Sequence, residues 1–559
     1  MLLSKITSVV SDAFSAAGFD GDDPKVKVSD RPELSDFQSN GAMGLAKKLG
    51  QNPREIADKI RHTLTNNGWF DQVTVDGPGF INMTVKDHKL VELLPGLLTD
   101  PRMTVPLKDH PETVVMDYPS PNVAKAMHVG HLRISIIGEA IKRLFRFVGD
   151  TFIADNHLGD WGKPMGLIIE SLRERSTKGQ LTVKELEELY PVAVARAKED
   201  PAFLERALKA TKMLQDGDPD TRKMWEEFTK LSIDDINATL AELDVSTDVL
   251  FGESSMHERL QKLSKRLIES KQAVLDDGAY IISFGEDMPP FILVKSDGAF
   301  MYAGTDLAKI EDRIERFHAD RILYLTDNRQ SLHFKQLFGA ARQTGIAAED
   351  KVGLEFLAVG TVNGKDDKPF KTRDGGVMTL KGLIDMAKEA SRSKTEDPKV
   401  ADQIALTALK FADLMNDRSQ SYIFDLDKFL LTEGKTGPYV LYAAVRIHAI
   451  LDKAGNFHFD PKKGLSLSTP LHPSERALLL HLFRLPETIY AAYDKRAPHV
   501  LVEHLFVLAQ LFSTFYHDCH VLNEENEEIK HFRLCLLSAV YKEMHLLCGI
   551  LGFAIPDKM

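Results

Sequence analysis

The stretch from residue 113 to residue 154 constrains the fold more than any other. Thr113–Asp117 is an apolar run of strand length. The next residues, Tyr118-Pro119-Ser120-Pro121-Asn122, hold two prolines, which lack an N–H and are excluded from a helix interior. From residue 131 to residue 148 the apolar positions follow a helical period. Ile137, Ile141, Leu144 and Val148 share one face, and Lys142, Arg143 and Arg146 fall elsewhere. Gly149 suits a helix C-cap, and residues 151–154 form a second β run. Parallel neighbours need a crossover of about a dozen residues or more, usually a helix, so this order predicts the βαβ unit of a parallel sheet.

With 559 residues and about 150 residues per domain, three or four domains are expected. Residues 1–95 read as a small α+β unit. Helix signals cover 2–17 and 52–66, and strand runs at 73–75 and Phe80–Val85 flank the turn Gly77-Pro78-Gly79. Pro95, Pro101 and Pro106 predict a linker. An α/β domain then spans 110–390, interrupted by a charged, helix-rich insertion around 166–270. Its sheet pattern resumes at 291–295. After a turn at Ser296-Asp297-Gly298 come residues 299–302, a helix through Phe317, a strand at 321–326, a helix from Ser331, a last strand at 354–359 and a polar loop at 363–376. From 395 to 559 the pattern is helical, with helices predicted at 401–414, 437–452, 472–493 and 499–516, so the chain changes from α/β to all-α near residue 390.

The formal net charge of −12 confines any polyanion site to a local patch. Cys519, Cys535 and Cys548 include no C-x-x-C pair, which argues against a disulfide framework or zinc site and predicts small buried hydrophobes. No run approaches the ~20 apolar residues of a membrane span, so no membrane partner is expected. Leu3, Ile6, Val10 and Phe14 lie at helical spacing, with Ser11 and Asp12 interrupting. This is an amphipathic helix rather than a signal peptide, and a cytoplasmic location is expected. No G-x-G-x-x-G follows a strand. Gly434-Lys435-Thr436 resembles the end of a P-loop, but Phe429 stands where the first glycine belongs.

His128-Val129-Gly130-His131 opens the helix after the first β run. Unpaired N–H groups and the helix dipole make that end a natural phosphate site. The two histidines, three apart, can face it, and Gly130 lets a base or ribose approach the backbone. On spacing alone, a nucleotide site, a helix start that merely holds two histidines, and a His-x-x-His metal site all remain open.

The longer run Ser120-Pro121-Asn122-Val123-Ala124-Lys125-Ala126-Met127-His128-Val129-Gly130-His131-Leu132-Arg133 closely resembles the first signature of class I aminoacyl-tRNA synthetases, in its arginyl form. Asn156-His157-Leu158-Gly159-Asp160-Trp161-Gly162, Asp327-Asn328-Arg329-Gln330-Ser331-Leu332-His333-Phe334 and Gly437-Pro438-Tyr439-Val440-Leu441-Tyr442-Ala443 resemble later blocks of that family. Asp36-Phe37-Gln38-Ser39-Asn40 and Gly79-Phe80-Ile81-Asn82 resemble its N-terminal tRNA-contacting domain. The likeness runs the length of the chain in the family's order. Ala126 stands in place of a common proline, and Lys163-Pro164 in place of a common Thr-Gln.

The resemblance implies a Rossmann-like class I catalytic domain with a parallel sheet, an N-terminal α+β tRNA-binding domain and an all-α anticodon-binding domain. It implies arginine activation by ATP with Mg²⁺, then transfer to tRNA-Arg, by a protein expected to be a monomer. His128 and His131 would contact the ATP phosphates, and Gly130 would admit the adenosine. The loop Pro369-Phe370-Lys371-Thr372-Arg373 stands where the family usually has two lysines. Lys371 and Arg373 would serve the departing pyrophosphate, with Lys125 as the family's proposed substitute for the missing lysine. Asp117, Asn122, Tyr302, Asp306 and Gln330 would hold arginine, whose planar guanidinium is best met by carboxylates. Phe80 and Asn82 would contact tRNA in the N-terminal domain, and Tyr439, Tyr442 and Arg446 in the helical one, with His517, Asp518 and Met559 near further anticodon contacts. The Gly-Asp-Trp-Gly turn is expected to be structural, with Trp161 packing. Rival readings are a synthetase for another amino acid, a catalytically silent tRNA-binding protein and a simple nucleotidyltransferase. A cysteine enzyme would want zinc-binding thiolates in the catalytic domain, and no cysteine precedes Cys519.

Overall fold

The computed structural model describes residues 2–175, 181–286, 288–296, 298–365, 370, 378–455 and 457–559. Its centre is a five-stranded sheet of β1 (Thr113–Asp117), β2 (Thr151–Leu158), β3 (Val249–Gly252), β4 (Arg321–Asp327) and β5 (Gly353–Val359), in the spatial order β5-β4-β1-β2-β3. Every pairing in it is parallel. Alternation along the strands builds a core on each face. Val114, Met116, Leu323 and Leu325 point into one core, while Val115, Ile322 and Tyr324 point into the other. The helix α1 (Val129–Val148) crosses from β1 to β2 and ends at Gly149, which takes the left-handed conformation that favours glycine.

Four features differ from the sequence reading. Strand β3 lies within the stretch read as a helical insertion; it is a four-residue, half-buried edge strand, too short to show periodicity. Phe291–Val294 joins Ala279–Ile282 and Val274–Asp276 in a separate antiparallel sheet, because a short apolar run does not say which sheet it enters. Pro95 stands inside the helix Asp87–Thr99, not in a linker. The helix expected over 472–493 is two, Pro473–Leu482 and Leu485–Lys495, with Pro486 in the first turn of the second.

The N-terminal unit is a four-stranded antiparallel sheet with helices, including Leu2–Ala16 and Pro53–Thr65. The C-terminal bundle buries all three cysteines. Two of its helices, His499–Asp518 and Glu527–Leu551, are long and apolar enough to cross a membrane, and half or more of each apolar window is buried inside the protein.

Candidate active site

The strand order reverses between β1 and β4, the switch point where open parallel sheets place ligands beyond the strand C-termini. Two cavities flank the end of β4 there. One, about 300 Å³, is lined by His128, Val129 and Gly130 from the start of α1, by Asp327 and Arg329, and by Val359–Val362 and Phe370. The other, about 260 Å³, takes Thr326 from the end of β4 and Gln330 from the turn after it, and faces Asp117, Asn122, His157, Glu253, Tyr302, Asp306, Lys309 and His333. Neighbouring residues of one short turn, Asn328–Gln330, thus serve both cavities.

The first cavity is built on a helix cap made of histidines. Gly130 N donates to His128 Nδ1 at 3.0 Å, and His128 N donates to His131 Nδ1 at 3.0 Å. Both imidazoles accept at Nδ1, so in the neutral form each carries its proton on Nε2 and is a donor. Neutral is the form favoured here. Burial, with the Lys125 and Arg329 charges, lowers His128, and burial with His128 alongside holds His131 down to about 3. A Cβ at Gly130 would stand 2.8 Å from His128 Cε1, so glycine is required by the cap itself as well as by any approaching ligand.

The second cavity is acidic at its floor. Tyr302 and Asp306 lie one turn apart at the start of the helix α2 (Tyr302–Phe317). Asp306 accepts from Lys309 Nζ at 3.0 Å and lies 2.8 Å from His333 Nε2. Burial alone would raise its pKa, but the Lys309 charge and the His333 bond outweigh burial and keep it ionised. The Tyr302 ring sits 4.9 Å from that of His333. Asp117 is held by the buried Arg313, 2.6 Å away, and by Ser120. Arg313 also binds Asp155. Burial pushes Glu253 up to about 7, with Lys309 opposing and the Asp306, Asp160 and Asp117 carboxylates adding to the rise. Four carboxylates, Asp117, Asp155, Asp306 and Glu253, therefore face two buried cations, and an added cation would be welcome.

The block around Gly159 shapes the wall. A Cβ on Gly159 would fall 2.1 Å from Asn122 Oδ1, so only glycine lets the Asn122 amide lie there. Asp160 accepts from Ser254 N and Oγ at 2.9 and 2.7 Å, and Trp161 packs edge-on to Trp225.

The other residues singled out from sequence lie as follows. Lys125 Nζ stands 4.7 Å from the centre of the Tyr190 ring, on the inserted helix Val183–Glu199. Lys371 and Arg373 fall outside the described residues; Phe370 lines the first cavity, and Met378 O accepts from Val129 N. Asn82 is buried, its amide tied to Gln38 and Asp76, while Phe80 is half-buried. Tyr439 turns inward to Phe506 and Ser513. Tyr442 is exposed, and the Arg446 guanidinium lies between its ring and that of Tyr516, at 4.5 and 4.9 Å. His517 is exposed beside this stack. Sequence reasoning missed Glu253, Lys309, Arg313, His333 and Tyr516. His333 stood within a quoted block, but Glu253 could be found only by recognising β3, whose end it follows.

Residues 94–426 match the family described as tRNA synthetases class I (R), catalytic domain. Residues 440–559 match the DALR anticodon binding domain, and residues 2–85 the arginyl tRNA synthetase N terminal domain. The arginine–tRNA ligase of Alkaliphilus oremlandii is 38% identical over 590 aligned residues, covering 100% of both chains. That of Francisella tularensis subsp. novicida is 38% identical over 576, covering 99% of each. The crystal structure of Plasmodium falciparum arginyl-tRNA synthetase shares 25% identity with a TM-score of 0.83, covering 100% of this chain and 99% of that one. Thermus thermophilus arginyl-tRNA synthetase, at 23% identity and TM-score 0.80 over 100% of both chains, shares the fold.

Proposed function

The chain belongs to the arginyl-tRNA synthetases, and from that membership we propose that it is an arginine–tRNA ligase, activating L-arginine with ATP and passing it to the 3′ end of tRNA-Arg with release of AMP and pyrophosphate. The observation that carries this reading is the pairing of an acidic cavity with a histidine-capped helix start on the two sides of one strand end. The guanidinium enters among Asp306, Asp117 and Glu253, under Tyr302 and Gln330. Asn122 meets the substrate's backbone end. The arginine carboxylate is then aimed at the α-phosphate, and the chemistry rests on positioning and charge stabilisation. His128 and His131 donate from Nε2 to phosphate oxygens, and Gly130 borders the adenosine. Lys125 is held ready on Tyr190, and Lys371 and Arg373 are assigned to the pyrophosphate. Asp327, the carboxylate among the described lining residues of the nucleotide cavity, fits a Mg²⁺ ion carried mainly by the phosphates and water, which would supply further charge neutralisation.

Residues 1–95 are proposed to contact the tRNA through Phe80 and Asn82, residues 110–390 to catalyse, and residues 395–559 to read the anticodon through Tyr442 and Arg446, with Tyr439 supporting them from within. The enzyme is read as a cytoplasmic monomer. Charging of total tRNA with each of the twenty amino acids tests the reading; only arginine is expected to be incorporated, and incorporation of another in its place would refute it. Asp306→Ala is expected to abolish arginine activation with the fold intact. Unchanged arginine affinity in that variant would remove Asp306 from the pocket. Pyrophosphate exchange with and without tRNA decides whether activation needs tRNA; equal exchange would show that it does not.

A further inference from the structure

Among the described residues, few cationic groups line the nucleotide cavity. His128, which lines it, and His131 behind the same helix start are spent as acceptors on the helix cap and favour the neutral form. Lys125 rests on the Tyr190 ring, and its ammonium is not among the groups lining the cavity. Among the described lining residues the only lysine or arginine is Arg329. It stands on the turn that ends β4 and lines the cavity together with His128. Its present partner is the near neighbour Asp327, which accepts from Arg329 Nε at 2.9 Å, from Nη2 at 2.8 Å and from the backbone N at 2.8 Å. The Arg329 side chain is 84% exposed, so this ion pair is solvated and easily exchanged for a stronger one. A guanidinium fork matches two phosphate oxygens as well as it matches a carboxylate, and a polyphosphate offers it more charge.

Resting on the reading of the site given above, we propose that Arg329 is a catalytic residue: when ATP binds, its guanidinium leaves Asp327 and takes oxygens of the β- and γ-phosphates, neutralising pyrophosphate as it departs. In that step a carboxylate oxygen of arginine bonds to the α-phosphorus. The bond from that phosphorus to the α–β bridging oxygen breaks, its electron pair leaves with pyrophosphate, and no proton moves. The backbone N–H of Arg329 continues to hold Asp327, so the turn need not rebuild.

The test is arginine-dependent ATP–pyrophosphate exchange by the full chain with tRNA present, comparing wild type, Arg329→Gln and Arg329→Lys. The glutamine variant is expected to lose kcat by roughly 100-fold, the scale of removing one group that stabilises developing charge. Its KM for pyrophosphate should rise about tenfold while its KM for arginine stays within about twofold, a split that mere distortion of the site would not give. The lysine variant, which keeps the charge but not the fork, is expected to recover much of the rate. Because the side chain is exposed, all three proteins should melt at the same temperature. An Arg329→Gln enzyme as fast as wild type, with the same KM for ATP and pyrophosphate, would overturn the proposal and leave the reading of the site standing. A wild-type chain without arginine-dependent exchange would overturn both.

Discussion

Glu253 is the carboxylate of the acidic cavity that changes charge near neutral pH, being pushed up to about 7 by burial and its acidic neighbours. Asp306 and Asp155 stay ionised, because nearby cations outweigh their burial. A guanidinium entering the cavity favours the ionised form of Glu253, so binding releases a proton below pH 7 and none well above it. Arginine affinity is therefore expected to rise from pH 6 to pH 8, by up to about tenfold, and to level off above the pKa. Calorimetric titration of arginine across that range checks it. Glu253→Gln should bind more weakly and lose the slope; an unchanged slope in that variant would assign the proton elsewhere. Gly130 makes a second case. The Cβ of Gly130→Ala would meet His128 Cε1 at 2.8 Å and turn the ring off its cap. The cap is worth about 1 kcal/mol, so the melting temperature should barely move, whereas pyrophosphate exchange should fall at least tenfold, roughly the scale of misplacing a catalytic group.

One buried side chain fixes α1 to the helical domain. Arg133, in the second turn, binds Asp413 at 3.0 Å and Gln420 O at 2.7 Å, and stacks on Tyr422. Both ionic partners are almost wholly buried. Arg133→Met leaves Asp413 unpaired and is expected to cost about 3–5 kcal/mol, whereas Arg133→Met with Asp413→Leu should recover much of it. Urea midpoints of the single and double variants decide this; equal midpoints would mean that the pair contributes nothing specific. What sequence could reveal follows from the same physics. β1, β2, β4, β5 and α1 carry runs long enough to show their period, and the histidine motif lies contiguous at one helix start. β3 has four residues and no period. The meeting of Glu253 with Asp306, or of Arg313 with Asp117 and Asp155, exists only once separate elements pack, since these partners lie far apart along the chain. Arg133 read as one more residue of a motif; its ion pair with Asp413 spans 280 positions.

At the scale of the whole molecule, the N-terminal unit is fastened to the helical domain by its helix Asp87–Thr99. Arg476 reaches Asp87 Oδ1 at 2.7 Å and Val85 O at 3.0 Å, and pairs with Asp36. Leu471 N donates to Asp87 Oδ2 at 3.0 Å, and at the other end Lys542 Nζ caps the carbonyls of Leu97, Leu98 and Asp100 at 2.7–3.0 Å. The two regions proposed to meet tRNA, around Phe80 and around Tyr442, are thereby joined by contacts that do not pass through the catalytic sheet. A net charge of −12 offers tRNA little general attraction, so binding depends on engaging both regions of one molecule together, and linked sites reinforce each other only while their geometry is fixed. Arg476→Ala removes one of these fastenings without touching either cavity, leaving those of Leu471 and Lys542 in place. With the joint loosened, KM for tRNA in aminoacylation is expected to rise several-fold, on the order of fivefold to tenfold, while kcat at saturating tRNA and KM for arginine and ATP remain near wild type. Tyr442→Ala, which removes one stacking ring, should raise KM for tRNA by at least fivefold, taking about 1 kcal/mol or more per stacked base. Combining it with Arg476→Ala should give less than the product of the two effects, because a joint matters only when both of its ends bind. Steady-state aminoacylation of the four proteins checks this, and fully multiplicative effects would show that the two domains bind tRNA independently.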